Sequence, residues 1–124
     1  EPHTIWENYA PEKPARGSNS RPNFVGWSGN GPITLFIENI LGFRPYAPEN
    51  RLVWRPTLTE KHGIRNFSWG EHTTEIIADN RTNKDDPVTA TVKAIKPFQL
   101  DVRWNEKTYS YNIKEGKQTI EVPK

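Results

Sequence analysis

Between residues 88 and 104 the chain reads "VTATVKA" and then "FQLDVRW", with apolar residues at nearly every second position. Val88, Ala90, Val92 and Ala94 alternate with Thr89, Thr91 and Lys93, and Phe98, Leu100, Val102 and Trp104 with Gln99, Asp101 and Arg103. A period of two puts each set on one face of a pleated strand, whereas a helix would scatter both sets around its axis. "WNEKTYSYNI" predicts a hairpin across Asn105 and Glu106, with Tyr109, Tyr111 and Ile113 continuing the inward face. A turn at Gly116 precedes a last strand, "QTIEVP", and weaker strand signals stand at "RLVW", "GIRNFSW" and "TTEIIAD". Short antiparallel strands, six or seven in all and spaced roughly 8 to 12 residues apart, predict a β-sandwich over residues 49–124.

Composition narrows what such a chain can bind. Its 124 residues suit one modest core, and 17 basic against 15 acidic residues leave a formal charge of +2. That balance advertises neither a nucleic-acid nor a membrane partner. With no cysteine there is no disulfide framework and no thiolate metal site, so the redox compartment stays open. His3, His62 and His72 lack the short spacing of a metal site, and no cofactor is expected. Asp85 and Asp86 read as turn residues, and nothing in their pattern supports calcium. The triplets "NFS" at Asn66 and "NRT" at Asn80 fit the glycosylation pattern, a common chance match. No G-x-S-x-G elbow, P-loop or H-E-x-x-H motif occurs, so a self-contained catalytic constellation is not expected.

Residues 1 to 30 hold prolines at 2, 11, 14 and 22 and glycines at 17, 26 and 29, which fits no regular element. "GPITLFIENILG" differs: Ile33, Phe36, Ile37, Ile40 and Leu41 recur at helical spacing, Pro32 suits a first turn and Gly42 the position past the end. A helix is predicted over about 31 to 41. Leu35 widens its apolar stripe, so it is expected to be buried on more than one side.

The pair "TIWENYAPE" and "FVGWSGNGPITLFIENILG" resembles the closing segment of six-hairpin (α/α)6-barrel glycoside hydrolases, with trehalase and the processing α-glucosidases of family 63 the nearest named relatives. Those enzymes carry E-K-Y, a glycine-rich spacer, then F-G-W-T-N-G-V before the last barrel helix. The resemblance implies that residues 1–48 close an (α/α)6 barrel and that Glu7 is the general base of an inverting glycosidase. An inverting base aims a water at the sugar from about 6.5 to 9.5 Å away from the general acid, so it must be ionised and rigidly held. Trp6 and Tyr9 would pack around Glu7, and Trp27 and Phe24 would wall the sugar site. The stretch "GSNS" stands where trehalases carry a second glutamate, and the family's general acid has no counterpart here. The implied protein is thus the C-terminal portion of a longer enzyme acting on an oligosaccharide or disaccharide, inactive without its remaining N-terminal part, with a periplasmic or secreted location favoured. The rival reading is a non-catalytic β-sandwich module that binds carbohydrate or another protein through exposed aromatics.

Overall fold

The structure, a computed structural model, describes Glu12 and residues 30–124. The chain divides into two compact units, Glu1–Phe36 and Ile37–Lys124. Of the first, only Glu12 and the beginning of a helix are described. That helix, α1, runs Asn30–Leu35 and widens into a π-type segment over Phe36–Leu41.

The second unit is built from eight strands: β1 (Phe43–Tyr46), β2 (Arg51–Trp54), β3 (His62–Trp69), β4 (His72–Ala78), β5 (Val88–Ala94), β6 (Phe98–Trp104), β7 (Lys107–Ile113) and β8 (Gly116–Val122). They form two four-stranded sheets, ordered β1-β2-β6-β7 and β3-β4-β5-β8. Every pairing is antiparallel except that of β2 with β6, which run parallel from Arg51 opposite Gln99 to Trp54 opposite Val102. The predicted alternation is realised in full on β5, where Val88, Ala90, Val92 and Ala94 are all buried. The Asn105–Glu106 hairpin also forms, with φ of 47° and 61°, the double positive φ of the turn whose twist matches paired strands.

This architecture corrects the resemblance. The described residues hold one short helix and eight strands, and no part of an (α/α)6 barrel is present among them. The helix is not buried on several sides either. Ile33 and Leu35 are each 60% exposed, Phe36 and Ile40 about half exposed, and burial begins with Ile37 and is complete only at Leu41. Strand β1 carries Pro45, which cannot donate to a ladder, and it lies at the edge of its sheet, where a missing donor is tolerated.

Both sheets bury one face in a shared layer rich in rings. Trp69 of β3 meets Phe98 of β6 edge-on at 5.2 Å, Phe43 of β1 lies 6.3 Å from Phe67 of β3, and Phe43 stacks on Trp54 at 5.5 Å. A bulge makes this possible. Ile64 pairs with Ile76 but Phe67 with Thr74, so β3 carries one extra residue, and Asn66 absorbs it at φ 51°. Without the bulge Phe67 and Trp69 would point outward.

The end of the helical segment is tied to the sandwich through carbonyls that a helix leaves unpaired. Trp54 Nε1 donates to Leu41 O at 3.2 Å, Thr57 Oγ1 to Ile40 O at 3.3 Å, and the Arg55 amide to Gly42 O at 2.9 Å. Gly42 has φ 84°, and a Cβ there would sit 2.1 Å from Arg55 O. Gly42→Ala should therefore cost at least about 2 kcal/mol, combining left-handed strain with the clash, read as a lower urea midpoint at unchanged slope. A loss under about 0.5 kcal/mol would show that the closeness is not required.

Asn50 and His72 join the two sheets by polar contact. Asn50, at φ 52°, accepts from His72 Nε2 at 2.6 Å and donates through Nδ2 to Pro97 O at 3.2 Å. His72 is buried, stacked on Trp69 at 4.1 Å, and its Nδ1 has no partner among the described residues. Burial, then the charge of Lys96, push its pKa below the ordinary value, while Glu71 opposes them weakly. The imidazolium is thus disfavoured in the fold, and unfolding takes up a proton on acidification. Stability should be complete above about pH 6.5, the unfolded value, and fall as pH drops below it. Thermal unfolding between pH 7.5 and 5 should show this decline and a flatter profile in His72→Gln; equal profiles would remove His72 as its source.

Candidate binding site

Strand alternation that buries Phe43, Leu52, Trp54, Leu100 and Val102 turns Arg44, Arg51, Arg55, Asp101 and Arg103 to the other face of the first sheet. Two of these neutralise each other. Asp101 is 5% exposed yet charged: burial pushes its pKa up, but hydrogen bonds from Gln99 and Ser110, both 2.8 Å, and from Arg51 at 3.3 Å hold it below the ordinary carboxylate range. Arg51 also pairs with Glu49 at 2.6 Å and lies 4.9 Å over the Tyr46 ring.

Arg44, Arg55 and Arg103 are different. All three are exposed, and none makes an ion pair among the described residues. They converge on one cavity of about 210 Å³, in which Glu38 is the sole acidic side chain. Arg55 and Arg103 are shared with an adjoining groove of about 460 Å³ at the end of the sandwich, walled by Trp104, Asn105 and Glu106 of the β6–β7 hairpin and by Arg81, Lys84 and Asp85 of the β4–β5 loop. Trp104 is half-buried, 6.4 Å from the Tyr109 ring, and its indole N–H is enclosed with no acceptor among the described residues.

The loops of the groove are held by Arg81. Its guanidinium donates to Lys84 O at 2.7 Å, to Asp86 O, Pro56 O and Leu58 O each at 3.2 Å, and through Nε to Leu58 O at 3.3 Å. One side chain thereby joins the β2–β3 and β4–β5 loops. Burial pushes its pKa down against the charges of Asp86 and Asp85, without threatening its ionisation. Asp86 also accepts from the Asn83 amide at 2.8 Å, the turn expected of it, and no cluster of metal-binding side chains exists among the described residues. Arg81→Gln should cost about 1–3 kcal/mol and speed amide exchange in residues 56–60 and 82–86 together, measured by hydrogen exchange. Exchange that rises in only one of the two loops would mean that Arg81 does not couple them.

Glu7, Trp6, Tyr9, Phe24 and Trp27 all lie outside the described residues. Trp54 and Trp69 are core residues as their strand positions implied, whereas Trp104 is at once core edge and groove wall. Sequence reasoning missed Arg55 and Arg103 because lone arginines on alternating strands look like ordinary solvated positions. The signal available was a Val, a Trp and an Arg standing together at 53–55 and again, in another order, at 102–104, at the ends of β2 and β6.

No family model matches the chain, and neither the curated proteins nor the solved structures contain a match to it. Together with the all-β architecture this overturns the likeness to glycoside hydrolases. The role of general base for Glu7 rested on that likeness.

Proposed function

We propose that the chain is a non-catalytic β-sandwich module that binds carbohydrate in the groove around Trp104. The observation that carries the reading is a concave surface, about 460 Å³, in which an indole stands beside planar hydrogen-bonding groups: the guanidinium groups of Arg55 and Arg103, the amide of Asn105 and the carboxylate of Glu106. A volume of that order suits a small ligand. Sugar rings present C–H faces to an aromatic surface and hydroxyl groups to planar polar side chains, so the two kinds of group fit one ligand. Most of the charged groups in the groove are guanidinium and ammonium groups, which donate hydrogen bonds and suit binding better than proton transfer. Arg81 fixes the loops beforehand, which lowers the ordering cost of association.

The test is a panel of neutral and charged oligosaccharides titrated into the isotopically labelled chain. Binding should shift the amide signals of Arg55 to Thr57 and Arg103 to Thr108 together, leaving β8 unmoved. If no glycan binds at millimolar concentration, or if the shifts cluster away from the groove, the proposal fails.

A further inference from the structure

We infer that the saccharide taken by this groove is anionic, bearing carboxylate or sulfate groups that the Arg55, Arg103 and Arg44 guanidinium groups clamp. The inference rests on the carbohydrate reading above and adds the charge of the ligand. β2 and β6 pair in parallel as far as Trp54 opposite Val102, and the residue that follows each, Arg55 and Arg103, lines both the cavity and the groove. Like charges gathered in this way repel. Arg51, on the same face, is neutralised by two carboxylates, Glu49 and Asp101. No carboxylate pairs with Arg55, Arg103 or Arg44 among the described residues.

The surroundings point the same way. Across the cavity and the groove, six basic side chains, Arg44, Arg55, Arg81, Lys84, Arg103 and Lys107, stand against three acidic ones, Glu38, Asp85 and Glu106. Arg81 is committed to loop carbonyls, which leaves five cations facing ligand space. The whole chain is close to neutral, so this excess is local. Guanidinium groups match carboxylate and sulfate oxygens in a two-pronged fit that hydroxyl groups alone do not use. An anionic partner of protein size would need roughly 800 Å² of surface on each side, whereas the concavity is of ligand scale.

The experiment is calorimetric titration of the full chain with three tetrasaccharides: tetragalacturonate, a heparin-derived tetrasaccharide and neutral maltotetraose. At low salt at least one of the charged pair should bind about tenfold or more tightly than maltotetraose, an advantage that shrinks several-fold as salt is raised. Which of the two is preferred identifies the anion as carboxylate or sulfate. Arg55→Gln and Arg103→Gln, exposed positions with no side-chain partner among the described residues, should each weaken charged-ligand binding by about fivefold or more. Lys117→Gln on β8 removes the same charge away from the groove and should leave binding within about twofold. Maltotetraose binding as tightly as both charged ligands would overturn the inference and leave the carbohydrate reading standing. Equal losses in Lys117→Gln and Arg103→Gln would overturn the clamp as its source. Binding of none of the three would overturn both.

Discussion

Everything in the sandwich depends on one ring-rich layer between its sheets. With no cysteine in the chain, no disulfide can hold the sheets together, and the layer must do so by burial and shape. Trp54, Phe43 and Leu100 are wholly enclosed in it. Its rings come from both sheets and meet edge-on or stacked, arrangements that favour specific angles over general stickiness. Two polar contacts set the sheets' alignment. His72 donates to Asn50 across the layer's edge, and the Tyr111 hydroxyl donates to the Glu121 carbonyl between β7 and β8. The first is made by an imidazole whose charged form burial disfavours, so acidification works against the fold at this contact.

The layer also decides what the outside looks like. Once Leu52, Trp54, Leu100 and Val102 point inward, a period of two forces Arg51, Val53, Arg55, Asp101 and Arg103 outward. Asp101 stays ionised near neutral pH because three donors surround it, and Arg51 is consumed in that arrangement. Arg55 and Arg103 lie beyond the reach of this network, at the end of the sheet where the loops begin. The groove is thus the outer face of the same register that packs the core.

What the sequence made legible follows from the range of the forces involved. β5, β6, the Asn105–Glu106 hairpin and the turn at Gly116 are local: alternation and turn chemistry within some ten residues specify them. The pairing of β2 with β6 is not, since the partners are 48 residues apart and no turn joins them. The bulge at Asn66 was hidden because an asparagine gives no sign of φ 51° unless its strand partners are known. The helix misled for a related reason. Ile33 to Leu41 carries an amphipathic pattern, but a pattern states what could be buried and not what is present to bury it. The likeness to a helical barrel rested on two short aromatic and glycine-rich elements in a stretch without strand periodicity, where few positions constrain the fold. The groove was illegible because it gathers residues 55–57, 81–85 and 103–108, and each stretch by itself is unremarkable for a surface.

One tension remains within this fold, and it bears on how the groove acts. Gathering Arg55 and Arg103 on one cavity costs electrostatic energy, and slipping the β2–β6 register by one residue would turn Trp54 or Val102 out of the core. Each of those side chains is fully buried, so the apolar loss on slipping exceeds the like-charge repulsion between two solvated groups. The sheet therefore holds the two cations together regardless of ligand. Under the proposed reading, a site whose charges are gathered by the core would not have to be assembled when an anion arrives, and the anion would relieve a repulsion already present. Packing inside the sandwich thus supplies the preorganisation of the surface outside it.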